Sequence, residues 1–588
     1  MTKSPHELHS LPPEGAHRAY GRPGGAVSRR EFTAFGLGAL ALPAWAQDAG
    51  FDKLTEKFLE ALWRQDPDAA VAAGRFEFAS QVTLPSNAQR DRMRAFLRKC
   101  HAEFERQPEA PLNTSQRMDR SMLIAKIQSD LWRLDALREW SWNPAEHNPA
   151  APLDLLLNTD YAPLPARLKA LKPRIVALPA YYRAAQASLA GVTQEHTELA
   201  IQQAPGVLGV LDDIAKRAAE AGQAAAFKAP LAAARAAVNG YVAHLKKLKP
   251  LRGFRLGAEL YETKFTHDIQ SARTAKETYE LAQARREEVL ASMHTQAAAL
   301  WPSVIGGEVP PADRFALIGR VIAKLSEGHV AREQFVNEIR AQIPQLEAWV
   351  RDHDLLSQDA SKPLAVRETP EYQRGVAGAS IEAPGAYRPQ DKTYYNVTPL
   401  DDLSPEEAES SLREYNHWIL QILNIHEAIP GHYTQLVHAN RAPSKVKALF
   451  GNGAMVEGWA VYGERMMIER GYGASPEMTL MWGKWHLRSV TNTVLDYSVH
   501  VLGMSEADAM DLLVRQAFQT EREAKEKWRR VQLTSVQLTS YFSGYSEIFA
   551  LREALKARPG FNLKAFHEQF LSYGNAPVRL IAAEMLKA

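Results

Sequence analysis

Apolar residues recur every three to four positions along most of this chain. Leu54, Phe58, Leu59 and Leu62 form one such stripe between Phe51 and Trp63, a spacing that gathers side chains on one helix face. The runs from Ala215 to Leu245, Thr274 to Trp301 and Ala312 to Ala341 are crowded with good helix formers. Asn148-Pro149, Lys249-Pro250, Gly306-Gly307 and Pro310-Pro311 punctuate them. The pattern predicts a mainly α fold with short connections. It changes between Pro363 and Leu400, where Leu364 to Glu368 and Thr393 to Val397 are short β-prone runs. Gly375 to Gly385 reads as loop between them, so a small sheet or hairpin is expected here. Helix resumes at Ser404-Pro405-Glu406-Glu407, a serine cap followed by proline at the first helical position and acids in the first turn.

The N-terminus departs from this pattern. Ser28-Arg29-Arg30-Glu31-Phe32 precedes a short apolar run, Phe35 to Leu42, and then Ala44-Trp45-Ala46. Positive, apolar, then small-x-small is the order of a secretory leader, and paired arginines resemble a twin-arginine signal. Residues 1–46 are therefore expected to be a leader cleaved after Ala46, with a periplasmic or secreted destination. The apolar run is too short to span a bilayer, so no stable membrane insertion is expected after cleavage. The rest divides into an N-terminal helical region, 47–375, and a region carrying the candidate chemistry, 376–588, expected to fold as one continuous unit.

Charge narrows the partners. Beyond residue 46 the chain carries 65 basic and 65 acidic side chains. Phosphate backbones are bound by concentrated positive fields, so nucleic acid is not expected. The mixed-sign block Arg515 to Arg530 reads as a solvated helix face. Cys100 is the sole cysteine, which excludes an intramolecular disulfide and a cysteine-rich metal site.

The candidate chemistry centres on His426-Glu427-Ala428-Ile429-Pro430-Gly431-His432. Neutral imidazoles bind zinc, and an adjacent carboxylate can take a proton from an activated water. The usual spacing puts two histidines four apart on one helix face. Here they are six apart, which on an unbroken helix would aim the rings roughly 120° apart. Pro430 lacks an N–H and its ring collides with the carbonyl four residues back, that of His426. Gly431 tolerates unusual backbone angles. A local bulge absorbing two residues would bring His426 and His432 together with Glu427 beside them. The same residues also fit a proline-kinked helix with two surface histidines.

A third ligand is supplied by Gly453-Ala454-Met455-Val456-Glu457-Gly458-Trp459-Ala460, where Glu457 is the one acid in a buried-looking helix. A cap or surface acid is the alternative for it. Two histidines and a downstream glutamate leave a zinc position open for water. Gly458 and Ala460 would allow close helix approach. Glu464, seven residues on, is a candidate to orient a ligand histidine. Asp496 and His500 share a helix face, suiting either an oriented catalytic histidine or a structural hydrogen bond. Tyr541 and Tyr545 flank Gly544, and a tyrosine there can donate to a tetrahedral intermediate, or simply pack. Tyr395 and Asn396 belong to a run suited to pairing with an extended substrate, and with Tyr545 they are the candidate substrate contacts. Trp482, Trp485 and Trp528 read as packing.

With these motifs in this order, the sequence resembles the bacterial family catalogued as domain of unknown function 885. The matching pieces are His426 to His432, Val456 to Ala460, Asp496 with His500, and Ser540-Tyr541 with Gly544. That family looks like a zincin-like group distantly similar to thimet oligopeptidase and carboxypeptidase Taq. The resemblance implies a large helical metallopeptidase fold with a deep cleft. It implies Zn2+ held by His426, His432 and Glu457, with Glu427 as general base and Tyr541 and His500 as further catalytic groups. Tyr497-Ser498-Val499 departs from the family's commoner Thr- and Gly-containing form, which leaves His500 open. The expected activity is zinc-dependent hydrolysis of a peptide or other amide. A non-peptide small-molecule amide is the alternative substrate. A periplasmic binding protein with a structural metal is the alternative outside enzymes.

Overall fold

A computed structural model describes residues 44–369, 378–383, 385–388, 390–442 and 444–587. Residues 1–43 of the expected leader and the expected regional boundary at 375/376 lie outside the described residues. The first helix, α1 (Ala44–Gln65), leads into an almost wholly helical chain. Its Phe58, Leu59 and Leu62 are buried in the main core as the stripe predicts. That core gathers side chains from Phe51 to Met585, and so from both sides of the expected boundary.

Three long helices, α2 (Leu164–Ser188), α3 (Gln194–Glu220) and α4 (Ala224–Leu245), enclose a second core of their own. The alanine-rich run from Ala215 is thus two helices, not one. Gly222 has φ +69°, a left-handed conformation that ends α3 in a turn. Helix α5 (Ala275–Val304) starts on a capping box in which Thr274 and Glu277 satisfy each other's backbone N–H groups. The run Ala312 to Ala341 also divides, into Arg314–Leu325 and α6 (Phe335–Asp352).

The β-prone segment forms a sheet of three strands rather than two. They are β1 (Leu364–Glu368), β2 (Ala379–Glu382) and β3 (Thr393–Val397). Their order is β1-β3-β2, with β3 parallel to β1 and antiparallel to β2. β2 lies inside the stretch expected to be loop. Its four residues are too few, and too rich in small side chains, to stand out as a strand.

Seven further helices build the candidate site. They are α7 (Pro405–Glu414), α8 (His417–Glu427), α9 (His432–Ala439), α10 (Gly453–Glu469), α11 (Pro476–His500), α12 (Glu521–Leu533) and α13 (Ser540–Lys556). Ser404 and Glu407 make the predicted cap of α7. Helix α11 is buried almost along its whole length, and packs against α5, α8, α10 and α13. A helix buried all round must satisfy or strand its polar side chains internally.

Helices α10 and α13 touch at their backbones. A Cβ on Gly458 would lie 2.5 Å from the Gly544 Cα, and one on Gly544 would lie 1.7 Å from the Ala454 carbonyl oxygen. Glycine is required there because nothing larger fits. Behind α10, His567 is fully buried. Its Nδ1–H donates to the Leu355 carbonyl and its Nε2 accepts from the Tyr462 hydroxyl, both at 2.8 Å. Burial pushes His567 down to about 4, against the pull of the Leu355 carbonyl and with help from Arg552. The unfolded chain, with an ordinary imidazole near 6.5, takes up this proton first. Stability present above pH 6.5 is therefore lost as pH falls towards 4, by roughly 3 kcal/mol from this group. Urea midpoints at pH 7 and 4.5 are expected to converge in His567→Gln relative to wild type; an unchanged gap would remove His567 from the account.

Candidate metal centre

Helix α8 carries the motif to Glu427 and stops. Proline at 430 has no N–H to continue the ladder. The Ala428 and Ile429 N–H groups both reach back to the Asn424 carbonyl, at 2.9 and 3.2 Å, and the Gly431 N–H reaches the Ile425 carbonyl at 3.0 Å. The Ile429–Pro430 peptide is cis. Helix α9 then begins at His432. The expected bulge within one helix is thus a complete break between two. Both the missing N–H and the close approach at Gly431 interrupt the i to i−4 pattern. The outcome is convergence all the same: the His426 and His432 rings lie 4.7 Å apart at 84°.

Glu457 meets them from α10. Its Oε2 lies 3.7 Å from His426 Nε2 and 3.4 Å from His432 Nε2. One ligand atom from each of the three falls within 4.8 Å of the other two. Donors about 2.0–2.1 Å from a tetrahedral zinc stand roughly 3.3–3.4 Å apart, close to the two separations measured from Glu457. Glu457 Oε2 is buried without a hydrogen-bond donor, an orphan that a cation would satisfy. Side-chain exposures of 10% for His426, 13% for His432 and 23% for Glu457 leave the position open to solvent on one side.

The surroundings are strongly acidic. Burial opposes charge on Glu457, yet the two imidazoles outweigh it and hold the carboxyl well below the usual range. Burial likewise opposes charge on His426, but Glu457 and Glu464 hold it well above an ordinary imidazole. Burial pushes Glu427 up, moderated by His432 and His426. Glu427 is partly exposed and, unlike Glu457 and Glu464, is engaged in no hydrogen bond or ion pair among the described residues.

Glu464 is fully buried and accepts from His426 Nδ1 at 2.6 Å. This fixes the tautomer and turns Nε2 toward Glu457. Trp485 on α11 donates its indole N–H to the same Glu464 oxygen at 3.0 Å. Trp485 therefore does more than pack: it holds the carboxylate that orients His426. The Trp459 indole donates to the Pro430 carbonyl at 2.8 Å and holds the break from α10. Replacing Glu464 by glutamine is expected to weaken zinc binding about 10- to 100-fold, measured by competition with a chelating dye. Unchanged affinity would reduce Glu464 to a packing role.

The remaining candidates divide. Tyr541 on α13 is partly exposed and its ring lies 6.5 Å from that of His426. The Arg530 guanidinium donates to its hydroxyl at 3.4 Å. His500 belongs to the framework instead. It is 2% exposed, and its Nε2 lies 2.8 Å from both the Val531 and Thr534 carbonyls. Asp496 orients no ligand histidine. It accepts from the Tyr261 hydroxyl and from the Val536 and Leu538 amides, fixing the turn that launches α13 and hence Tyr541.

The three candidate substrate contacts are corrected by burial. Tyr395 is fully buried, and its hydroxyl donates to Asn424, two residues before His426. Asn424 in turn donates to Gln342 of α6 at 2.7 Å. Asn396 is buried and accepts from Arg367. Tyr545 is buried and its hydroxyl is taken by Arg465. The strand of Tyr395 and Asn396, β3, is the middle one, so its backbone is paired on both sides and presents no edge to a peptide. Tyr395 and Asn424 support the motif helix from behind; an asparagine on an otherwise apolar helix is the signal that marks such a contact.

Comparison with known proteins agrees with the sequence resemblance. The family model "Bacterial protein of unknown function (DUF885)" matches residues 67–585. No curated protein matches the chain. A solved structure of a "putative lipoprotein of unknown function" from Shewanella oneidensis is 45% identical, with a TM-score of 0.85 over 91% of this chain and 99% of that one. A "putative lipoprotein" from Colwellia psychrerythraea shares the fold at 15% identity, with a TM-score of 0.73 over 92% of this chain and 99% of that one. The match over nearly the whole described chain, and the 45% identical relative, place this protein in the DUF885 family of bacterial proteins of unknown function.

Proposed function

We propose that this protein is a zinc-dependent hydrolase of peptide or related amide bonds that works outside the cytoplasm. The observation that carries the reading is the junction of α8, α9 and α10. His426, His432 and Glu457 converge on one point with an orphaned Glu457 oxygen, and beside them Glu427 keeps a carboxylate with no partner among the described residues. A purely structural metal has no use for such a base. Two nitrogens and one carboxylate oxygen are a donor set that suits zinc and leaves a fourth position. Zinc there supplies Lewis acidity, which acidifies water and polarises a carbonyl.

The chain's own groups do the rest. His426 is oriented through Nδ1 by Glu464, and Trp485 holds that carboxylate. Glu427 takes the proton of the attacking water and delivers it to the leaving amine. The Tyr541 hydroxyl, steadied by Arg530, donates to the carbonyl oxygen as negative charge develops on it. Profiling a peptide library and a panel of small amides by mass spectrometry, with zinc-loaded protein and a Glu427→Gln control, tests the reading. Cleavage by wild type alone supports it; no cleavage of either class by the loaded protein defeats it.

Export rests on the Arg29-Arg30 leader pattern, and the relatives described as lipoproteins agree with a destination beyond the cytoplasm. Among the described residues no helix is long and apolar enough to cross a membrane. Cys100 is buried in the main core and is not a lipid-attachment site.

A further inference from the structure

The charge that balances over the whole chain does not balance along it. No acid stands between Glu220 and Glu259, a stretch that holds α4 and the connection after it. That connection, residues 246–255, carries Lys246, Lys247, Lys249, Arg252 and Arg255. The three lysines are exposed, and among the described residues they have no ion pair. Glu139 is the acid that acts on Arg252. Leu251 stands in the middle of these cations with 79% of its surface exposed.

Backbone bonds fix the connection against two other segments. The Leu251 N–H donates to the Val192 carbonyl, just past the end of α2, at 3.0 Å. Helices α2 and α4 therefore finish at the same end of the three-helix lobe, and Arg183, in the last turns of α2, is exposed as well. The Arg255 guanidinium donates through Nε to the Val499 carbonyl at 3.0 Å and through Nη2 to the Met504 carbonyl at 2.8 Å. The Gly257 N–H reaches the His500 carbonyl at 3.0 Å. These bonds clasp the turn that follows α11, where Leu502 is 59% exposed. Glu506 and Asp508 are the exposed acids beyond it. Single exposed leucines are ordinary on a protein surface. Here two of them stand on segments stitched together by one arginine, with unpaired lysines beside the first.

We propose that this surface, the 246–255 connection with the turn at Leu502, docks the protein peripherally on an anionic phospholipid bilayer. The lysine ammonium groups meet lipid phosphates, and Leu251 and Leu502 enter the boundary between headgroups and acyl chains. A soluble polyanion would satisfy the lysines and leave both leucines in water, so the leucines favour the bilayer. The surface stands apart from the hydrolase reading. Helix α11 joins it to Trp485 at the candidate centre, about 25 Å away at 1.5 Å per residue, so docking here holds that centre near the bilayer.

Co-sedimentation with vesicles tests the surface. Residues 47–588 contain the whole of the main and second cores, and using them keeps the leader from binding in place of the proposed surface. Vesicles of phosphatidylglycerol with phosphatidylethanolamine are expected to bind roughly 100-fold tighter than vesicles of phosphatidylcholine, from three lysines near the charged surface. Added salt is expected to weaken that binding. Replacing Lys246, Lys247 and Lys249 together by glutamine is expected to erase the preference. Leu251→Gln, at a position too exposed to disturb folding, is expected to weaken binding about 10-fold. Circular dichroism confirms that both variants fold. Wild-type protein that binds the two vesicles alike, or neither, overturns the proposal whatever the variants do. Inorganic polyphosphate bound as tightly as the anionic vesicles, with Leu251→Gln without effect on either, would make the partner a polyanion and overturn the bilayer.

Discussion

Glu427→Gln is expected to keep stoichiometric zinc and lose turnover by a factor of about 10² to 10⁴, the usual worth of a positioned general base. The substitution preserves shape and removes the ability to accept a proton. Glu427 sits next to His426, yet Glu457, not Glu427, faces both imidazoles. Among the described residues its carboxylate has no hydrogen-bond or ion-pair partner, so glutamine disturbs no bond described there. Elemental analysis and a cleavage assay on one preparation separate the outcomes. Full activity would remove Glu427 as the base. Lost zinc would make it a ligand and require the triad to be redrawn.

Gly431→Ala is expected to cost about 3 kcal/mol or more and to abolish tight zinc binding, because the new methyl has nowhere to go. Its Cβ would lie 1.8 Å from the His426 carbonyl oxygen and 2.3 Å from that of Ile425. Both obstacles are backbone and cannot swing aside. Relief requires α8 and α9 to move apart, and with them His426 and His432. Gly453→Ala is the matched control, since nothing lies within 4 Å of a Cβ there. Thermal midpoints of both variants, with and without zinc, measure the effect. A Gly431→Ala protein with a wild-type midpoint and bound zinc would show that the close approach does not set the ligand geometry.

Individual residues show how far the linear pattern reached. The capped starts at Thr274 and Ser404 were legible because a cap is local: a hydroxyl, a backbone N–H three residues on, and an acid in reach. The candidate triad was legible because a metal site needs few residue types, and His426, His432 and Glu457, which the fold brings together, are of those types. The route by which six-residue spacing becomes convergence was only half legible. Pro430 and Gly431 announced a disturbance, but whether α8 bends or ends depends on what holds the turn, and Trp459 does so from another helix.

Other readings failed where burial decides the role. Tyr395, Asn396 and Tyr545 carry polar groups that suit a substrate, but each is buried and already bonded. Lys527 and Glu523 look like a solvated i,i+4 pair in sequence, yet Lys527 is buried and Arg488 of α11 pairs with Glu523 at 2.8 Å. His500 and Asp496 share a face as expected, yet each bonds to backbone far along the chain rather than to the other.

By itself, then, the sequence determined the helical class, the capped helix starts, the candidate ligands and the carboxylate beside them. These follow from periodicity, local hydrogen bonding and donor chemistry, all of which act within a few residues. Tertiary structure alone decided which strand is central, which polar groups are buried, and that Glu464 and Trp485 orient His426. Those outcomes depend on contacts between helices distant in sequence, where close packing and the desolvation of charge, rather than local propensity, set the energy.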